Sequence, residues 1–129
     1  MPKRSTYRVK MPVEHIPLLF KEGKRYWCDL ETGTLGSCRT GQPLYTFHNR
    51  RFGRHLFVRL FDAPMETGIA VSRVVWMVGN DRPLPEGGVG WEVHHRDENA
   101  INNAFDNLVL VWNNDHKKLH RNEPEEIPF

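Results

Sequence analysis

Val93-His-His-Arg-Asp-Glu-Asn99, followed by Phe105-Asp-Asn-Leu-Val-Leu-Val111 and Asn114-Asp-His-Lys-Lys-Leu-His120, is the stretch whose reading decides the fold. It holds four of the chain's seven histidines, at His94, His95, His116 and His120. Imidazole both ligates transition metals and titrates near neutral pH, so the segment points to a metal site, a proton-transfer site, or both. Gly90 to His95 reads as a short strand, which sends the His94 and His95 side chains to opposite faces and gives them different roles. Arg96 to Ala104, with Asp97, Asn99, Asn102 and Asn103, reads as a loop built by local side-chain to backbone bonds. Asn107 to Val111 is a second strand. Asn113 or Asn114 can then cap a helix that carries Asp115 early and Lys117, Lys118 and Arg121 toward its end. On that helix His116 and His120 lie one turn apart on one face, a ready chelate. With His94 they can offer three imidazoles to one ion and leave an open position, as catalytic metal sites do.

Outside this stretch the chain has the make-up of one ordinary domain, 129 residues with 39% hydrophobic and 11% aromatic content. No apolar run approaches the roughly 20 residues that span a bilayer, so a soluble protein without membrane partners is expected. The start, Met-Pro-Lys-Arg-Ser-Thr-Tyr-Arg, is basic but lacks a following apolar block, so no secretory signal is expected and a cytoplasmic location is. Cys28 and Cys38 are too few for a disulfide scaffold and do not fit the hooks of a zinc finger; they read as small, partly buried side chains. A net charge of +2 conceals a lopsided distribution. Residues 1–59 carry 12 Lys or Arg against 4 Asp or Glu, whereas residues 60–129 carry 6 against 12. A basic half beside an acidic, histidine-rich half suits a protein that draws a polyanion to one surface and concentrates cations at the other.

Residues 1–24 mix lysines and arginines with Pro2, Pro12 and Pro17, which predicts an extended arm with one helical turn near Ile16 to Phe20. From Arg25 to Leu60 the texture changes to short β-like runs, Tyr26 to Leu30, Leu35 to Arg39, Leu44 to His48 and His55 to Phe61, with turn residues between them. That spacing predicts a meander of antiparallel strands. Arg50, Arg51 and Arg54 fall on a loop of this lobe with Phe52 among them, a pattern suited to DNA phosphates or a groove edge. Ile69 to Val71 reads as a further strand, and Ser72 as the cap of a short core helix stopped at Gly79-Asn80. The Pro- and Gly-rich run from Asn80 to Gly88 is the expected boundary. The division is then a basic arm and β-rich DNA-binding lobe at 1–88, the histidine element at 89–122 and a tail at 123–129. His15, His48 and His55 read as structural or surface residues, with His55 a candidate DNA contact.

In this order, His94-His95-Arg-Asp97-Glu-Asn99, Asn103, Asn107-Leu-Val-Leu110, His116 and His120 closely resemble the HNH nuclease motif, the ββα-metal fold. The β-rich lobe upstream is similar, more loosely, to modules that precede this nuclease in phage and intron-borne homing endonucleases. It departs from them at the start of the helix, where Ser72 stands in place of a usual histidine. The resemblance implies an α+β protein, an N-terminal antiparallel β meander with a short helix followed by a C-terminal ββα-metal element. It implies His95 as general base, His94, His116 and His120 as ligands of one divalent metal ion, and Asn107 as the residue that holds the loop and so orients His95. It further implies hydrolysis of double-stranded DNA to 5′-phosphate and 3′-hydroxyl ends, with nicking by a monomer and double-strand cutting by a homodimer or successive events. Family members commonly use Mg2+ or Mn2+, whereas all-histidine ligation favours Zn2+, Ni2+ or Mn2+. Two other readings fit the same residues: a DNA-binding module with a structural zinc, and a hydrolase of small phosphate esters or RNA.

Overall fold

The computed structural model describes residues 15–21, 25–48, 54–60 and 68–112. The basic arm over 1–14, Arg50, Arg51, the expected helix with His116 and His120, and the tail at 123–129 lie outside the described residues. Among the described ones, helix α1 (His15–Leu19) is the helical turn expected in the arm. Strands β1 (Tyr26–Asp29) and β2 (Thr34–Ser37) pair antiparallel, Tyr26 opposite Ser37. Their turn forms because the Asp29 carboxylate accepts the Glu31 N–H at 3.0 Å and the Asp29 carbonyl accepts the Gly33 N–H at 2.7 Å.

Strands β3 (Phe47–His48), β4 (Leu56–Val58) and β5 (Ile69–Ala70) make a second antiparallel sheet in chain order. The expected single meander is therefore two sheets, and an isolated bridge between Gly36 of β2 and Pro43 holds the start of the segment that leads to β3. Turn spacing locates strands but carries no information on where pairing breaks.

Helix α2 (Val71–Asn80) follows β5 directly. Val71, Val74, Val75 and Met77 are buried at helical spacing, and the helix packs against α1, β4, β5, β6 (Trp91–His95) and β7 (Leu108–Trp112). Its ends differ from expectation. Ser72 is not a cap: it lies inside the first turn, 5% exposed, and Ala70 at the cap position makes no side-chain bond. Gly79 does not stop the helix. A Cβ at Gly79 would overlap the Phe105 ring, so the glycine permits a close approach. The left-handed cap falls on Asp81 (φ 53°), whose N–H and that of Arg82 bond to the carbonyls of Val78 and Met77.

One hydrophobic cluster runs from Ile16 and Tyr26 through Val58, Val75 and Met77 to Leu84, Val93 and Leu108. The run expected as a boundary is a 3₁₀ turn at Pro85–Gly88, with Leu84 buried beneath it. No helix among the described residues is long and apolar enough to cross a membrane.

Candidate active site

The histidine segment forms the hairpin that alternation predicts. β6 and β7 pair antiparallel, with His94 opposite Val109 and His95 opposite Leu108. Val93 and His95 face inward, while His94 occupies the other face. Arg73 ties the hairpin to α2 by donating from Nη2 to the Trp91 carbonyl at 3.0 Å, and burial pulls its guanidinium below the usual range.

The loop at 96–107 is closed by asparagine and aspartate side chains. Asn107 Oδ1 accepts the Asp97 N–H at 3.1 Å, while Asn107 Nδ2 donates to Asp97 Oδ1 and to the Asn102 carbonyl, both at 2.9 Å. Asp97 Oδ2 accepts from Asn102 Nδ2 at 2.8 Å, and Oδ1 also takes the Asn99 N–H at 2.9 Å. These donors hold the exposed Asp97 carboxyl down at about 2, the Asn102 amide first, then the Asn99 N–H, then the Asn107 amide. A 3₁₀ turn at Phe105–Asn107 leads into β7, and the Asn107 carbonyl accepts the Arg96 N–H at 2.8 Å.

Inside this loop His95 is 5% exposed and Asn103 3% exposed. His95 Nε2 and Asn103 Oδ1 lie 2.8 Å apart. An amide oxygen only accepts, so Nε2 donates this bond, and in the neutral ring the lone pair falls on Nδ1. The side chain hydrogen-bonded to His95 is thus Asn103. Asn107 acts on the loop around it. Across from the loop, the His55 ring lies 5.6 Å from the His95 ring, centroid to centroid, at 42°. Neither contact was legible in the sequence, where Asn103 stands among several equivalent amides and His55 has no neighbour of its kind. His94 Nε2 lies 3.9 Å from Glu98 Oε2. Among the described residues, no group of three or more His, Cys, Asp and Glu side chains is placed to hold a metal ion. Of the expected ligands only His94 falls within them.

The β lobe presents a basic, aromatic surface. Arg54 and Arg59 are exposed, the Arg59 guanidinium sits 4.6 Å over the Phe47 ring, and Tyr45, 82% exposed, stacks on Phe47 at 6.2 Å. Residues 44–48 and 54–60 contain no carboxylate.

A paired-histidine hairpin closed by an Asn/Asp loop, set against antiparallel sheets and a core helix, is an HNH-like α+β fold. The particular likeness is to a solved structure described as "DNA binding and cleavage by the HNH homing endonuclease I-HmuI", with a TM-score of 0.56 and 22% identity. The match covers 91% of this chain and 61% of that one, so this chain spans less than two thirds of the other protein's length. No protein-family model matches the sequence, and no curated protein does. The fold resemblance read from the histidine motif is borne out.

Proposed function

We propose that the protein is a metal-dependent DNA endonuclease of the HNH class, with His95 as general base. The observation that carries this reading is a buried imidazole held by one amide in a hairpin whose fold is shared with a DNA-cleaving enzyme. With its hydrogen on Nε2 and directed to Asn103, His95 takes the proton from the attacking water at Nδ1. The water oxygen forms its bond to phosphorus as the bond to the 3′ oxygen breaks, and solvent protonates that oxygen. The ends are then 5′-phosphate and 3′-hydroxyl.

His94, together with His116 and His120, would hold a single divalent ion. Imidazole donors and the nearby Glu98 carboxylate are a donor set that suits Zn2+, Ni2+ or Mn2+ and tolerates Mg2+. When bound, the ion supplies positive charge to the phosphate and the leaving oxygen. Asn107 keeps the loop closed around His95, and Arg50, Arg51 and Arg54 grip the phosphates of double-stranded DNA. One such site cuts one strand, so a monomer nicks. Similarity to a homing endonuclease supports a role in a phage or mobile element within a host cytoplasm.

The test is incubation of purified protein with supercoiled plasmid across Mg2+, Mn2+, Ni2+ and Zn2+, with EDTA as control. Nicked circles should appear only with metal. His95→Ala should lower cleavage by about 10²- to 10⁴-fold while DNA binding persists. No cleavage with any of the four ions would sink the endonuclease reading and favour a DNA-binding module with structural zinc. Cleavage by His95→Ala at more than a few per cent of wild type removes His95 from the base role.

A further inference from the structure

His95 is fixed at one atom by its bond to Asn103. A hydrogen bond at one ring nitrogen fixes that atom but does not by itself set the plane of the ring, because the terminal torsion of histidine is broad. That plane decides where Nδ1 points. The group set against the ring is His55, one residue ahead of β4 in the β lobe, 5.6 Å away and tilted by 42°. At this separation two flat rings are in ordinary aromatic contact, which restricts the plane of each. His55 also directly follows Arg54, the described member of the arginine group proposed to contact DNA.

We propose that His55 is a positioning residue of the cutting centre, whose ring, acting by shape, sets the plane of His95 and aims Nδ1. This rests on the endonuclease reading for its kinetic consequence, but not for its geometry. Flatness is the property in use, so phenylalanine can replace it and alanine cannot. An error of about 1 Å in a reacting group lowers rates by about 10²-fold. His55→Ala should therefore lower kcat by roughly ten- to a hundred-fold with KM for DNA within about threefold, and His55→Phe should restore kcat to within about threefold of wild type.

The companion measurement is ¹⁵N NMR of the imidazoles in metal-free protein, with the His95 signals assigned by their loss in His95→Gln. Wild type and His55→Phe should show one sharp set of His95 signals with the hydrogen on Nε2, and His55→Ala should show those signals shifted or broadened by motion of the ring. If His55→Ala does not fold, His55→Gln, which keeps bulk without a ring, takes its place. The NMR arm holds even if the protein cuts nothing, which separates failure of this inference from failure of the nuclease reading. Equal loss of kcat in His55→Phe and His55→Ala would overturn it in favour of proton or phosphate chemistry at His55. A raised KM with unchanged kcat would overturn it in favour of a DNA contact. Unchanged His95 signals in His55→Ala would overturn it outright.

Discussion

Gly33 offers the sharpest test of how the β lobe supports the site. It lies in the β1–β2 turn at φ +76°, and a Cβ built there would stand 2.7 Å from Asn103 Cβ and overlap the Asn103 carbonyl. Carbon atoms rest about 3.5–4.0 Å apart, so Gly33→Ala requires the loop and the turn to separate by roughly 1.5 Å. The turn cannot easily yield, because the Leu30 carbonyl accepts the Phe105 N–H at 2.9 Å and ties the same hairpin to the same loop. A left-handed L-residue costs about 1–2 kcal/mol, and forced overpacking about 1–3 kcal/mol. The sum, about 2–5 kcal/mol, lowers Tm on the order of 5–15 °C in a domain of this size. Because the residue displaced is the one that holds His95, kcat for plasmid nicking should fall by about 10²-fold at temperatures where the variant is folded. Circular dichroism melting and nicking kinetics measure the two effects separately. Gly33→Asn tolerates the backbone angle better but keeps the overlap, so it should recover little of either loss. A Gly33→Ala protein that melts within about 2 °C of wild type and nicks at the wild-type rate would refute the reasoning.

Two further outcomes follow from titrating groups. The Asp97 carboxyl is held near 2 against an ordinary 3.8, so the stability it adds is fully present above about pH 5, begins to fall near the ordinary value and is lost as pH falls through about 2. The gap in Tm between wild type and Asp97→Asn should be constant from neutrality to about pH 5 and close on acidification toward pH 2; a gap that persists there contradicts the assigned bonds. Burial, helped by Asp29, pushes the Cys28 thiol up to about 11, whereas Cys38 is exposed. At pH 8 only about a thousandth of Cys28 is thiolate, so a disulfide reagent should label one thiol quickly, and Cys38→Ser should abolish that phase. Equal fast labelling of both thiols would show Cys28 to be open.

The hairpin was legible because its signal is local. Alternation over Trp91–His95, a short apolar run over Leu108–Trp112 and a run of turn-forming side chains between them specify strand, loop and strand without reference to the rest of the chain. The core helix was legible by its apolar spacing, but not its ends. Ser72 has the chemistry of a cap and was buried instead, and Gly79 has the chemistry of a stop and was used for contact with Phe105. In each case tertiary packing overrode a local preference. The same limit governed the site. Motif order singled out His95, but its partner had to be chosen among Asn99, Asn102, Asn103 and Asn107, and only the folded loop distinguishes the amide that reaches Nε2 from those that close the turns.

What joins these observations is that the loop bearing His95's partner is not self-sufficient. Its own asparagines and Asp97 fix its shape, yet three contacts from the β lobe converge on it and on the ring it holds: Gly33 against Asn103, the Leu30 carbonyl on the Phe105 N–H, and His55 beside His95. Arg54 directly precedes His55, so a duplex contacted at Arg54 would lie one residue along the chain from the ring that packs on His95. Tight burial of His95 fits that arrangement. In the role proposed for it, a His95 ring enclosed in this way is already placed in the free protein, so little reorganisation is left for the moment of reaction.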